Sequence, residues 1–282
     1  MKKLAPAFFL IFAVLPLAAG LLYAFLYSVG LVGALAQGFT LDAWSNTLTD
    51  SIFWNSIGLS MLISILVVAL STAVALAILM TLRTKLERPG IRFMLHFPLA
   101  IPPIVAAFLS FQWLGSSGMI ARAVHAAGWI DNPDHFPPII NDVLYIGVGL
   151  TMTLTTFPIL LLIFINHFKA ANLVQISDLA ATLGASTAQI RSRVIAPVLL
   201  RRAAPSLLLY GVFLFGAYEL PLILGRQSPA MISMFINQKF RRFNLNDLPV
   251  AYVATVIYAV LVMLMVILFL KNSRTKAFGL SA

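Results

Sequence analysis

Glu219 is the residue whose position in this sequence most strongly suggests chemistry. It lies in GAYELPLILG and is the only acidic residue well inside an apolar segment. An ionisable group at such a depth in a membrane is usually functional and faces a pathway or a partner. Pro221 lacks a backbone N–H and can leave a nearby carbonyl free for a ligand. We therefore take Glu219, Tyr218 and Pro221 as candidate pathway residues. The competing interpretation is a structural carboxylate bonded to Tyr218, to Arg226 or to a neighbouring chain.

The residue groups that most enzymes and metal sites require are absent from the sequence. It contains no cysteine, which excludes disulfides, zinc–thiolate sites, iron–sulfur clusters and cysteine nucleophiles. The four histidines lie in different segments, and no pair has the HxxxH spacing of a metal site. There is no Ser–His–Asp or paired-carboxylate grouping and no GxxxxGK[ST] phosphate loop. We expect no catalytic residue, metal or cofactor in this chain.

A second candidate site lies in the polar, basic loop over residues 167–202. Ser177 or Asp178 is a suitable N-cap for a short amphipathic helix over 178–183. Gly184 then ends this helix, because glycine tolerates the positive φ of a helix end. The segment predicts a compact structure on which another protein docks. The alternative is an amphipathic linker on anionic lipid, to which Arg191 and Arg193 contribute.

The second half of the same loop predicts another helix. Ser186 can cap it, and it runs to about Ala196. Pro197 then ends or kinks the helix before the next apolar segment, because proline cannot donate the helical hydrogen bond.

The composition places these residues in a membrane protein. The chain is 61% apolar and 10% charged, whereas soluble domains are nearer half apolar and a quarter charged. The sequence predicts an all-α polytopic membrane protein that forms a single domain over residues 1–282. Six segments are long enough to cross a bilayer, namely 5–35, 52–82, 93–115, 139–166, 203–225 and 250–270. In the third, Pro98, Pro102 and Pro103 are expected to break the helix and open a cavity.

The basic residues predict the orientation of these spans. Fourteen of the 19 lie on one predicted side, and basic residues concentrate on the cytoplasmic side of membrane proteins. Those fourteen are Lys2, Lys3, Arg83, Lys85, Arg88, Arg92, Lys169, Arg191, Arg193, Arg201, Arg202, Lys271, Arg274 and Lys276. Both termini are therefore predicted to be cytoplasmic. The net charge of +10 is explained by this asymmetry, and we expect no nucleic-acid partner.

The loop at 167–202 resembles the signature loop of permease subunits in binding-protein-dependent type I ABC importers. That signature is Glu-Ala-Ala, three residues, Gly, and an Ile-x-Leu-Pro that ends thirteen residues later. The chain departs from it in having Asp for Glu, Leu for Ala and Ala for Leu. The matching positions are Asp178, Leu179, Ala180, Gly184, Val194, Ala196 and Pro197. The resemblance covers the whole chain in topology, and its specific part is limited to about 174–200.

The resemblance implies a fold, partners and a location. It implies the type I importer permease fold, in which the loop is a coupling helix seated on a separate ATP-binding subunit. ATP and Mg²⁺ would belong to that subunit, so this chain would not itself be an enzyme. A second permease, identical or different, and a soluble substrate-binding protein would complete the assembly in the bacterial inner membrane.

The span order and the PLAIPPIVAA run at 98–107 are similar to the polyamine, ferric-iron and thiamine branch of these importers. A cationic or amine-bearing cargo would gain most from Glu219, so a polyamine-like cation is the expected cargo. Ferric iron, thiamine and a small organic anion stay open as alternatives.

The outer loop over 226–249 carries basic and aromatic residues and has three interpretations. In the importer permeases that this chain resembles, such loops contact the binding protein. The loop could equally be solvated, with its Phe side chains packed on the span ends, or form an anion site. These residues are Arg226, Lys239, Arg241, Arg242, Phe235, Phe240 and Phe243.

Two other classes of function compete with the importer subunit. An ion-coupled secondary transporter usually has more intramembrane charge and repeated halves. An intramembrane enzyme needs a nucleophile–base or metal grouping, and none is visible. Copurification of an ATPase would separate the importer subunit from both.

Overall fold

The structure is a computed structural model that describes residues 8, 10–34, 36 and 38–278. Lys2, Lys3 and the outermost residues of the first predicted span lie outside this part of the chain. The side chains of Arg274 and Lys276 are likewise not described. The described residues form helices joined by turns and include no β-strand.

The helices are numbered here in chain order. Short 3₁₀ turns cover Phe97–Ala100 and Pro133–His135, and π-helical turns cover Leu10–Val14 and Ile190–Ile195. The α-helices are α1 Leu15–Ser28, α2 Asp42–Thr49, α3 Ser51–Leu86, α4 Pro89–His96, α5 Pro103–Leu114, α6 Met119–Ala126, α7 Ile146–Ala170, α8 Leu173–Thr182, α9 Thr187–Gln189, α10 Ala196–Phe215, α11 Glu219–Leu224, α12 Ile232–Arg241 and α13 Asp247–Phe278.

Among the described residues, five helical stretches are long and apolar enough to cross a membrane. They are Ser51–Leu86, Pro103–Ala126, Ile146–Ala170, Thr187–Phe215 and Asp247–Lys271. The first predicted span, 5–35, contains the π-turn and α1. At 14 residues, α1 is shorter than the ~20 residues that a crossing needs. The sixth crossing therefore stays a prediction.

Two predicted spans differ from the helices that form. Residues 93–115 are divided between α4, a 3₁₀ turn and α5, and the divisions fall at Pro98, Pro102 and Pro103. This break agrees with the expected effect of three prolines on helical hydrogen bonding. The predicted span 203–225 is also interrupted, because α10 ends at Phe215 and α11 begins at Glu219. A continuous fifth span through Glu219 was therefore wrong. Gly216, with φ near −95° and ψ near 8°, ends α10 at this break.

The chain divides into two compact units, residues 1–59 with 231–282 and residues 60–230. In the first unit, α13 packs against α1, α2 and α12. The ring of Tyr252 stacks on Tyr27 at 4.2 Å between centroids and makes a T-shaped contact with Phe240 at 5.0 Å. Trp44 Nε1 donates to Ser28 Oγ at 3.1 Å. These aromatic contacts join the helices of this unit.

In the second unit, α7 is the most buried of the five candidate spans. Its fully buried Leu160, Leu161 and Phe164 pack with Leu79 of α3 and Leu199 of α10. A span that is apolar on all sides is expected at the centre of a helical bundle. α7 therefore provides the frame on which α8, α10 and α11 are placed.

The start of α7 also holds α11 in position. Asp142 Oδ2 accepts hydrogen bonds from the backbone N–H groups of Leu144 and Ile146, at 3.0 and 2.9 Å. The buried Tyr145 hydroxyl lies 2.9 Å from the Arg226 carbonyl oxygen and 2.7 Å from that of Pro229. The Asn141 N–H donates to the Leu224 carbonyl at the end of α11. These bonds fix the short helix that carries Glu219.

Candidate functional site

The polar loop forms two helices, but its first helix starts earlier than the sequence predicts. α8 begins at Leu173 after Asn172, whose φ of 49° and ψ of 40° lie in the left-handed region. Ser177 Oγ donates to the Leu173 carbonyl at 2.6 Å, so this side chain lies within the helix and does not cap it. The N-cap prediction for Ser177 or Asp178 was wrong. Leu173, the first residue of α8, is buried and packs into the core of the second unit. Its burial accounts for a helix that starts before Ser177.

Gly184 ends α8 as predicted, with φ at +87°. The N–H of Ala185 donates to the Ala180 carbonyl at 3.0 Å, and the N–H of Gly184 donates to the Ala181 carbonyl at 2.9 Å. This pair of bonds is the Schellman motif, which satisfies carbonyls that a helix end otherwise leaves without partners. The left-handed residue that it requires is best supplied by glycine.

Ser186 starts the second helix through a capping box. The Ser186 N–H donates to Gln189 Oε1 at 2.8 Å, and the Gln189 N–H donates to Ser186 Oγ at 3.3 Å. Each side chain thus satisfies a backbone donor of the other residue. The Schellman motif and the capping box together fix the turn between α8 and α9 from both sides. We call residues 173–189 the α8–α9 knob.

Of the two predicted effects of Pro197, an end to the second helix is wrong, because the helix continues past this residue. It widens into a π-helical turn at Ile190–Ile195 and continues as α10 to Phe215. The Ala196 N–H donates to the Arg191 carbonyl five residues back, which is the π-helical pattern. A wider turn accommodates a proline that cannot donate to the carbonyl four residues back. The knob is therefore joined directly to a long candidate span.

The knob exposes several large apolar side chains among polar ones. Leu179 is 64% exposed and Leu183 is 82% exposed, and Val174 and Ile176 are also exposed. On the other side, Leu173 is buried and Ala180 packs against the core cluster of the second unit. Exposed apolar side chains of this kind are available for contact with another protein or with a membrane surface.

The predicted coupling residues fall into two groups in the structure. Asp178, Leu179 and Gly184 are exposed on the knob. Ala180, Val194, Ala196 and Pro197 are half-buried and support it. Asp178 lies in the middle of α8, so it cannot cap that helix. It lines a cavity together with Arg83 and Arg191.

Glu219 lies on the wall of a cavity of about 430 Å³ within the second unit. The proline-rich break between α4 and α5 supplies one wall, and α7, α10 and the start of α11 supply the others. The main lining residues are Pro98, Leu99, Ile101, Pro103, Thr155, Thr156, Ile159, Tyr210, Phe213 and Glu219. A mainly apolar cavity with a few polar groups has the composition of a small-molecule site.

The cavity contains polar groups that the sequence analysis missed. Thr155 and Thr156 come from α7 and Tyr210 comes from α10. Thr155 Oγ1 lies 3.0–3.1 Å from the Thr151 and Met152 carbonyls, so it has acceptor capacity left for a ligand. The signal for these residues was the hydroxyl-rich run TMTLTT inside an apolar segment.

The other two candidate pathway residues are placed differently. Tyr218 and Pro221 are not among the residues that line this cavity, and Pro221 is buried. Pro221 lies in the first turn of α11, where a helix does not need the N–H that proline lacks. The Pro221 carbonyl accepts the Gly225 N–H at 2.9 Å. Only Glu219 of the three reaches the cavity.

The segment around α12, which the sequence predicts to face outward, uses much of its charge and aromatic surface in contacts within the chain. Lys239 Nζ lies 3.1 Å from Asp247 Oδ1, and Arg242 Nη1 lies 3.5 Å from Asp247 Oδ2. Phe235 is buried, while the Phe243 side chain is fully exposed. Two of the four cations proposed for an anion site are thus paired with a carboxylate.

Within the part of the chain that the structure describes, no group of three or more His, Asp or Glu side chains could hold a metal ion.

Comparisons with known proteins bear on the fold. No protein-family profile matches the sequence, and no curated protein matches it. A bacterial ABC transporter involved in the import of the acidic polysaccharide alginate is similar in structure, with a TM-score of 0.62 and 18% identity over 97% of this chain and 94% of that chain. A bacterial alginate ABC transporter in complex with an alginate pentasaccharide-bound periplasmic protein gives a TM-score of 0.60 and 20% identity over 95% of this chain and 91% of that chain. The likeness covers nearly the whole of each chain and shows a shared fold.

Proposed function

We propose that this chain is the permease subunit of an ATP-driven importer in the bacterial inner membrane. The observation that carries the proposal is the α8–α9 knob, which has helix caps at its turn and exposes Leu179 and Leu183. The fold shared with ABC importer chains over nearly the full length supports it. ATP and Mg²⁺ would be held by a separate ATP-binding subunit seated on the knob. The chain itself would carry no cofactor and catalyse no reaction.

The knob suits the transmission of movement. A short helix fixed at its turn can move with the span it joins, whereas a flexible linker cannot. α8 follows α7 after a two-residue turn, and the π-helical turn joins α9 to α10. Closure of an ATP-binding subunit against Leu179 and Leu183 would therefore move α7 and α10.

The cavity beside Glu219 would form part of the solute pathway. Its carboxylate would favour a cationic or amine-bearing solute, and a polyamine-like cation remains the proposed cargo. Thiamine, ferric iron and a small organic anion are the alternatives. The solute would be delivered by a soluble binding protein, and a second permease, identical or different, would complete the pathway.

The test of this proposal is a change to the exposed leucines of the knob. We expect Leu179→Asp with Leu183→Asp to weaken ATP-binding-subunit association by tenfold or more, because burying each leucine is worth about 1.5–3 kcal/mol. Copurification of the ATP-binding subunit with the membrane-inserted chain measures this. Leu245→Asp, at an exposed leucine of the outer segment, is the matched control and should retain the subunit.

Unchanged copurification of an ATP-binding subunit with the double variant would refute the docking role of the knob. If the unaltered chain copurifies with no such subunit and its transport follows an ion gradient, the secondary-transporter alternative would hold.

A further inference from the structure

A separate cavity of about 320 Å³ lies in the second unit where α3, α4, α7 and α8 meet. Its charged lining residues are Arg83, Glu87, Arg92 and Lys169. Three cations and one carboxylate give this small space a net charge of +2. In the sequence these cations mark only the predicted cytoplasmic side, whereas in the structure they line one cavity.

The three cations are available to a ligand. In the described part of the chain, no carboxylate oxygen lies within 4.0 Å of the charged nitrogens of Arg83, Arg92 or Lys169. Arg83 and Arg92 are half-buried, so they are less hydrated than ordinary surface cations. The Arg83 guanidinium is held over the Phe168 ring, 5.2 Å from its centroid. A cation held in this way is oriented before a ligand arrives.

The start of α8 adds backbone donors to the same cavity. Asn172, Val174 and Gln175 line it, and they belong to the N-cap and first turn of this ten-residue helix. Asn172 makes no side-chain capping hydrogen bond. The first N–H groups of a helix have no acceptor within the helix and carry the positive end of its dipole. Such an end favours phosphate and other anions.

The apolar part of the lining consists of Leu79, Leu86, Ile165, Phe168 and Val174. We propose that this cavity binds a phosphate-bearing anion, held by Arg83, Arg92, Lys169 and the first turn of α8. Basic pockets between membrane helices on the cytoplasmic side bind lipid head groups. The apolar lining favours an anionic phospholipid over free phosphate, because it can also cover the first carbons of the acyl chains.

The consequence is a link between the bound anion and the knob. The anion would bridge Arg83 of α3, Arg92 of α4 and Lys169 of α7 to the start of α8. The inference does not require an ATP-binding subunit, so its test is independent of the proposed function.

The test measures lipid retention by the full-length chain, together with any subunits that copurify. Native mass spectrometry is carried out after exchange into micelles that contain phosphatidylglycerol or phosphatidylcholine. The unaltered chain should retain phosphatidylglycerol preferentially. We expect retention of this lipid to fall about fivefold for each cation removed in Arg92→Gln with Lys169→Gln.

Two further variants make the result specific. Lys85→Gln with Arg88→Gln removes two exposed cations of the same region that do not line the cavity, and retention should be unchanged. Glu87→Gln removes the carboxylate of the lining and should strengthen retention. This gain cannot arise from misfolding, so it tests the site even if the cation variants prove unstable.

A second measurement separates a lipid head group from a free phosphate as the source of the anion. It follows thermal stability during a titration with inorganic phosphate, compared with chloride at equal ionic strength. Thermal stabilisation by phosphate that is lost in the cation variant, without preferential lipid retention, would support the site with a soluble phosphate as its ligand. Equal retention of both lipids without phosphate stabilisation would overturn the proposal. Equal loss in the Lys85 and Arg88 variant would also overturn it, because the effect would then be general surface charge.

Discussion

At the scale of single residues, the position of Glu219 has two physical explanations. A carboxylate in the first turn of a helix interacts favourably with the helix dipole, and Glu219 is the first residue of α11. Its carboxylate also belongs to the lining of the 430 Å³ cavity, beside Thr155, Thr156 and Tyr210. In the first explanation, Glu219 only stabilises the start of α11. In the second, its negative charge interacts with a solute. The two explanations predict different solute uptake when Glu219 is replaced by a neutral side chain of the same shape.

We expect Glu219→Gln to lower uptake of an amine cation by roughly tenfold or more while the subunits stay associated. A hydrogen bond to a charged group contributes about 1.5–3 kcal/mol, and the neutral amide loses that charge. Uptake of radiolabelled solute into vesicles measures the effect. Tyr218→Phe is the neighbouring control, since Tyr218 does not line the cavity, and its uptake should be normal. Normal uptake by Glu219→Gln would assign Glu219 to the start of α11 alone.

At the scale of elements, the knob depends on one left-handed residue. The Schellman motif at the end of α8 requires a positive φ at Gly184, and the capping box of Ser186 and Gln189 follows two residues later. A side chain at Gly184 would meet no atom within 4 Å, so the requirement is conformational and not steric. This separates the rigidity of the knob from its docking surface.

Gly184→Ala should destabilise the turn by about 1–2 kcal/mol, because a left-handed conformation has this cost for residues with a Cβ. We expect faster amide hydrogen exchange over residues 180–189 and weaker coupling of ATP hydrolysis to transport. Gly58→Ala is the matched control, because Gly58 lies in α3 with open space around it and an ordinary φ. That control should be neutral or slightly stabilising. Equal rates of amide hydrogen exchange over residues 180–189 in Gly184→Ala and Gly58→Ala would contradict the role of Gly184 in fixing the turn.

At the scale of the whole molecule, the charges that bear on the proposed cargo lie far apart in the sequence. The Glu219 cavity presents a carboxylate, whereas Lys239 and Arg242 of the outer segment are paired with Asp247. This pairing reduces the positive charge available for an anionic solute. The structurally similar transporters include one involved in the import of an acidic polysaccharide, and a fold shared at 18% identity does not transfer that cargo.

We expect the soluble binding protein that crosslinks to the outer segment to bind an amine cation. Calorimetric titration with polyamines, thiamine, ferric iron and small anions measures this. Tight binding of an amine cation would support Glu219 as a pathway residue. Tight binding of an anion would instead direct attention to Arg226 and Arg241, and Glu219 would then be structural.

The sequence by itself determined the long apolar segments that could cross a membrane, the helical class and the turn at Gly184 and Ser186. These follow from local rules, since long apolar runs must form helices in lipid and few residues accept a positive φ. It also located the proline break at 98–103. Two features stay predictions. They are a single domain over residues 1–282 and a cytoplasmic location of both termini.

Only the tertiary structure decided which distant residues share a site. α8 begins at Leu173 because that side chain is buried in the core, and the helix through Pro197 continues because a π-helical turn accommodates the proline. Thr155, Tyr210 and Glu219 line one cavity because α7, α10 and α11 pack together. Arg83, Arg92 and Lys169 line another for the same reason. Packing between helices sets the distances between these residues, and the local sequence pattern does not specify that packing.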